Sequence, residues 1–297
     1  MRRPWKPAHE GDLGRLSRFL EEREWKCVSF SGHLLEDGSW KLPRRYRKRV
    51  FLLPRAKSPG EETPGLSGAV LQTANGFVYP VFDSPEAGER IHLDALAREL
   101  SSGFGKVSTL MGVYEDVMAL EERLPGSPAH AIDYDILALA ETEDREPLRR
   151  QRPGEGVVVR RATPQDLAAL LPLQEAYERE EVLLPGRSIN KGLTMRMLRH
   201  SIDKQLVLLA SVRGRIVAKA ATNARGGRYD QLGGVYTEPE FRGRGIGSLV
   251  VASITRLILQ QRRGVSLFVK KDNVPAQRLY DRLGFSHMAD LRISYYA

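Results

Sequence analysis

The chain has 297 residues, 41% hydrophobic and 28% charged, which is enough for two domains of ordinary size with real cores. Net charge is +9, and no apolar run is long enough to span a bilayer. The single cysteine, Cys27, excludes an internal disulfide, and six histidines without Cys-x-x-Cys or His-x-x-x-His spacing give no zinc pattern, so no metal is expected.

The opening Met1-Arg-Arg-Pro-Trp-Lys-Pro7 has no apolar signal region, which fits a cytoplasmic protein. Leu13, Leu16, Phe19 and Leu20 recur at helical spacing, so 11–22 reads as a helix, followed by strands at 25–30 and 49–53. Cys27 lies inside the first of these apolar runs and reads as a small buried hydrophobe. Residues 56–65 are polar and rich in Pro and Gly, which predicts a mobile loop. Residues 66–73 and 77–82 form a hairpin around Asn75-Gly76, after which 91–101 and 114–124 read as helices and 105–110 and 129–140 as extended chain. Residues 141–156 are charged, contain two prolines and two glycines, and lack a periodic apolar set. That composition predicts a linker, with one domain at 1–140 and another at 157–297.

The second half opens with a strand at 157–162. Thr163-Pro-Gln-Asp166 then carries helix-start signals, and Leu167, Leu170, Leu171, Gln174 and Tyr177 extend the helix to about Glu181. A helix at 190–201 follows, then strands at 206–212, 215–222 and 229–236, helix 248–261, strand 265–269, helix 275–283 and strand 289–295. This alternation predicts an α/β fold with a mixed sheet and helices on both faces.

Between the strand at 229–236 and the next helix runs Arg242-Gly-Arg-Gly-Ile-Gly247. Alternate glycines allow positive φ and let successive N–H groups converge where a helix also presents its positive dipole end, a geometry suited to phosphate oxygens. The loop is neither Gly-x-x-x-x-Gly-Lys-Ser/Thr nor Gly-x-Gly-x-x-Gly, which argues against an ATP-binding P-loop and a dinucleotide fold.

Its spacing, Arg242-x-x-Gly245-x-Gly247, followed by Asn273-x-x-Ala276-x-x-x-Tyr280-x-x-x-Gly284-Phe285, resembles the GNAT acetyltransferases over roughly 157–297 and more loosely before that. The whole arrangement looks like a bacterial two-domain group with an uncharacterised N-terminal region. The resemblance implies a C-terminal GNAT fold preceded by a smaller α/β domain, acetyl-CoA as co-substrate, and a primary amine of a small molecule or protein as acceptor. It also implies that Arg242, Gly243, Arg244, Gly245, Ile246, Gly247 and Ser248 hold the pyrophosphate, with the two arginines either adding charge or facing solvent. The main chain of Val235, Tyr236 and Thr237 would pair with the pantetheine arm, and one N–H there would meet the developing oxyanion. Asn273 either hydrogen-bonds the pantetheine or caps the next helix, or does both. Tyr280 is the expected general acid for the leaving thiolate, the other reading being a core tyrosine beside Leu279 and Leu283. Glu180, Glu181 and Glu238 are placed to act as base, and none is selected.

The N-terminal half is either a GNAT-like domain without cofactor or an unrelated α/β domain. After 77–82 the sequence is Asp83-Ser-Pro-Glu-Ala-Gly-Glu-Arg90, whose carboxylates and proline oppose phosphate binding, and Glu121 stands where an echo of Tyr280 falls. Basic clusters at 44–49, 149–152 and 261–263, of which only the first is interrupted by an aromatic, Tyr46, read as solvated surface, not a nucleic-acid face. A different class of function is an acetyl-CoA sensor without turnover. Monomer and homodimer stay equally open.

Overall fold

The computed structural model describes residues 5–43, 47–55, 63–83, 90–102, 104–140 and 146–296. Most of the predicted 56–65 loop, of the acidic stretch after Asp83, half of the first basic cluster and the start of the predicted linker lie outside the described residues. The chain divides into two compact units, Met1–Ile136 with Met288–Ala297, and Leu137–His287.

In the first unit, β1 (Lys6–Pro7), α1 (Leu13–Glu21) and α2 (Glu24–Leu34) precede a small hairpin of β2 (Leu35–Glu36) and β3 (Ser39–Trp40). Strands β4 (Lys48–Pro54), β5 (Leu66–Thr73) and β6 (Phe77–Phe82) follow, then α3 (Arg90–Ser101), β7 (Thr109–Val113), α4 (Tyr114–Glu121) and β8 (His130–Leu139). The sheet order is β1-β4-β5-β6-β7, antiparallel apart from the parallel β6–β7 pair. Alternation along β4 serves both faces: Phe51 and Leu53 pack with α3 and α4, while Val50 and Leu52 pack with α1 and α2.

One sequence expectation is corrected here. Residues 25–30 belong to α2, helical on either side of a kink at Cys27 (φ −140, ψ 28), and not to a strand. Cys27, Phe30, Ser31 and Leu34 form one buried helical face, and a run this short satisfies the strand and the helix period equally.

The second unit contains α5 (Glu146–Arg149), β9 (Val157–Arg161), α6 (Leu167–Tyr177), α7 (Lys191–Lys204), β10 (Val207–Val212), β11 (Arg215–Arg225) and β12 (Tyr229–Thr237). It continues with α8 (Ile246–Gln260), β13 (Gly264–Lys270) and α9 (Val274–Arg282), and the chain closes with β14 (Ser286–Tyr295). Its sheet runs β9-β10-β11-β12-β13, again antiparallel except for the parallel β12–β13 pair. Leu208 and Ala210 pack toward α8, and Val207 and Leu209 pack toward α6 and α7. Helix α5 lies inside the stretch read as a linker, and its Leu148 is fully buried in the core with α8.

Connectivity is the same in both units: two helices on one face, three antiparallel strands, a helix, a parallel strand, a helix. That agreement supports the GNAT-like reading of the N-terminal half. Strand β14 does not stay with the residues before it, because Leu291 to Tyr295 pair antiparallel with Val113 to Thr109 of β7. Arg292 forks onto Glu121 at 3.2 Å through two nitrogens, and the Ser294 hydroxyl donates to the same carboxylate. The alternation of 289–295 marks a strand but carries no information about its partner. Conversely, Leu137 and Leu139 at the end of β8 belong to the core of the second unit.

Candidate functional site

Parallel pairing between β12 and β13 runs from Tyr229–Gly264 to Leu232–Leu267 and then stops, although β12 continues to Thr237 and β13 to Lys270. A bulge next to the last pair explains the divergence. Gly233 stands opposite Ala221 and Tyr236 opposite Lys219, so Gly234 and Val235 together face the single residue between them on β11. Gly234 has φ +58, a conformation that glycine takes without a Cβ penalty. The extra residue bends and twists the strand, and the two edges part.

The glycine loop follows directly. Pro239–Phe241 makes a single tight turn, Gly243 and Gly245 both take φ +75, and α8 starts at Ile246. Among the described residues, the N–H groups of 243–248 have no main-chain acceptor; the first amide to find one is Leu249, at 3.0 Å from the Gly245 carbonyl oxygen. Six donors at a helix N-terminus with left-handed glycines form an anion-accepting concavity. A Cβ on Gly243 or Gly245 would touch nothing, so the requirement there is conformational. At Gly247 it is spatial, since a Cβ would come within 3.1 Å of the Thr237 hydroxyl.

After α6 the chain makes a π-helical turn, Glu178–Val182, and its carboxylates engage residues from several elements. The Tyr236 hydroxyl donates to Glu180 at 2.8 Å, and Arg242 donates to Glu180 at 2.7 Å and to the Thr237 carbonyl at 2.9 Å. Partial burial opposes ionisation of Glu180, yet the bonds from Arg242 and Tyr236 hold it below the usual carboxylate range. Asn273 caps α9 by accepting from the Ala276 amide at 3.2 Å, and its side-chain nitrogen donates to Glu181 at 3.1 Å. Lys270 stands 3.4 Å from Glu181. Arg244 instead stacks on Phe241, 5.2 Å from the ring centre.

Tyr280 is 6% exposed and meets Phe285 edge-on at 5.7 Å. Burial pushes its pKa up, and the neighbouring Tyr177 and Glu181 act in the same direction. Its phenol is therefore a held proton at neutral pH. Glu238 accepts from Arg215 at 2.6 Å. The structure thus gathers Tyr236, Thr237, Arg242 and Asn273 around the acidic turn, and it leaves Arg244 and Glu238 with other partners.

Sequence reasoning passed over Lys219 and gave Tyr177 only a place in a helix. Lys219, 2% exposed, donates from Nζ to the Gly234 carbonyl at 2.7 Å, with the Tyr177 ring centre 4.7 Å away. Burial drives its pKa down to about 7, against the pull of Glu178. Glu178 itself accepts from Thr194 at 2.5 Å and from Gln174 at 3.0 Å. Burial raises the Tyr177 hydroxyl to about 12, and a hydrogen bond with the Gly234 main chain works the other way. The available signal was a lysine inside the otherwise apolar Val217-Ala-Lys-Ala-Ala221.

The first unit offers no comparable opening among its described residues. Strands β6 and β7 also part after Val78–Leu110, but Asp116 sits there, accepting from the Phe82 amide at 3.2 Å and from Lys26 at 3.3 Å. Glu121, the echo of Tyr280, is committed to Arg292 and Ser294.

Residues 212–293 match the family model described as FR47-like protein. No curated protein matches the chain. Among solved structures, a Drosophila protein is similar at 13% identity over 99% of each chain, TM-score 0.64. A tandem GNAT protein from the clavulanic acid biosynthesis pathway is similar at 14% identity over 98% of each chain, TM-score 0.60. A GCN5-related N-acetyltransferase from Sphaerobacter thermophilus is similar at 18% identity over 98% of this chain and 95% of that one, TM-score 0.59. These matches cover both units at the level of fold, which is that of a tandem GNAT protein; the two sequence motifs implied this fold for the C-terminal half and left the N-terminal half open.

Proposed function

We propose that this chain, folded as two GNAT-type units, is an acetyl-CoA-dependent N-acetyltransferase whose working site lies in the second unit. The observation that carries the reading is the set of six unpartnered amides at 243–248, beside a β12 edge left open by its bulge. Those amides would hold the coenzyme A diphosphate, and the main chain of 235–237 would receive the pantetheine arm as an added strand. Arg242 would contribute charge once released from Glu180.

Acetyl transfer also requires a donor for the charge developing on the thioester oxygen and a proton for the departing thiolate. The Val235 amide fits the first role. It lies within the bulge, where two residues face one on β11, and beyond the last β13 pair. Tyr280 would fill the second, its buried phenol being protonated at neutral pH and so available to give its proton to the thiolate as the carbon–sulfur bond breaks. The acceptor would be a primary amine on a small molecule or protein, approaching past α6 and the acidic turn.

The first unit serves as a partner domain without a coenzyme of its own. The test is thiol release from acetyl-CoA against a panel of amines and peptides, with Tyr280→Phe as control. Release that depends on an amine and falls in the variant supports transfer. Acetyl-CoA binding with no release for any amine would instead favour a sensor.

A further inference from the structure

The bulge at Gly234 has an unusual support. A buried ammonium grips the carbonyl of Gly234 at 2.7 Å from one face of the sheet, and a tyrosine from α6 closes over it, ring centre 4.7 Å from Nζ. Lysine is almost never fully buried without a purpose for its charge. Its three donors here meet no carboxylate within ion-pair distance among the described residues; the hydrogen bond it makes goes to one peptide oxygen.

That peptide joins Gly234 to Val235. A trans peptide points its N–H opposite to its C=O, so a bond that fixes the Gly234 oxygen also fixes the direction of the Val235 N–H. A donor held on the oxygen polarises the peptide and makes the N–H a stronger donor, most of all when the amine is protonated. The ladder fixes this plane only loosely, since Gly234 and Val235 share the single residue opposite them on β11 and lie beyond the last β13 pair. Glycine at 234 fits the arrangement twice: φ is +58, and a Cβ would stand 3.2 Å from Nζ.

We infer that Lys219 is a positioning residue for acetyl transfer, holding the Gly234–Val235 peptide so that the Val235 N–H is aimed at the thioester carbonyl. The inference rests on the function proposed above and adds a residue outside the glycine loop and the Asn273–Phe285 motif. The lowered pKa of Lys219 accompanies the same burial.

The test uses the full chain with acetyl-CoA carrying a carbon-13 carbonyl. Bound to the wild type, the carbonyl stretch should fall below its value in solution, reporting a hydrogen bond to that oxygen. In Lys219→Met the stretch should return toward the solution value while the calorimetric Kd stays within about threefold, and thiol release with a working amine should slow at least about tenfold at unchanged KM for acetyl-CoA. Gly234→Ala, which leaves Lys219 in place but denies the peptide its conformation, should behave the same way and supplies the answer if the methionine variant folds poorly. A folded variant of either kind that keeps both the shifted stretch and the rate overturns the role of Lys219. A wild type that binds no acetyl-CoA refutes the functional reading itself, which is a separate result.

Discussion

Two buried side chains carry the proposed chemistry at the scale of single residues. Tyr280→Phe keeps the packing against Phe285 and removes only the hydroxyl, so kcat should drop by about a hundredfold with little change in acetyl-CoA affinity, measured by steady-state kinetics and calorimetry. Lys219 gives a stability signature independent of catalysis. Its pKa is about 7 when folded against an ordinary 10.5, so between those values the unfolded chain binds a proton that the folded chain does not. Stability must therefore rise with pH across that window, and the penalty of the buried charge is fully present below it. The ionisable groups close to it, Glu178 on the π-helical turn and Tyr177 on α6, alter the midpoint but not the sign. Urea unfolding at pH 7 and at pH 9.5 should show this gain in the wild type and a smaller one in Lys219→Met.

At the scale of elements, the start of α6 decides where Tyr177 and the acidic turn stand. Asp166 receives a fork from Arg160 at 2.7 and 2.6 Å and also accepts from the Thr163 amide at 2.8 Å, which closes a capping box. The Arg160 fork holds the Asp166 carboxyl well below the usual carboxylate range, with partial burial opposing it and Thr163 adding to it. Asp166→Asn should cost about 1–2 kcal/mol at pH 7 by urea unfolding. This contribution is present above the unfolded carboxylate pKa and fades as pH falls below it, so the variant and wild type should converge in acid. The helix was readable from Thr163-Pro-Gln-Asp166 because caps are local. The glycine loop and the Asn273 cap were readable for the same reason, each being a pattern within a few residues. What could not be read were tertiary encounters: Lys219 meets Gly234 only after β11 and β12 pair with a bulge, and the register shift has no local sequence mark beyond the two adjacent glycines. The 25–30 segment failed differently, since six residues cannot separate a period of 2 from one of 3.6.

At the scale of the molecule, the repeated connectivity of the two units was legible as an element order, while the placement of the last strand was not. Residues 288–297 complete the first unit through β7, Glu121 and Asp133, with Arg292 donating to Asp133 at 3.0 Å. A chain ended after Phe285 should therefore lose protection in residues far away in sequence. Hydrogen exchange at 109–121 should accelerate more than at 207–212, and equal protection in full-length and shortened chains would contradict that assignment. The whole account turns on the loop of the second unit and its converging amides. Titration of coenzyme A into the full-length wild type and into Gly245→Val tests it most directly, since valine is barred from φ +75 and the loop must open. The account predicts saturable one-to-one heat for the wild type and an affinity at least about tenfold weaker for the variant; no heat for the wild type, or equal affinity in both, would contradict it.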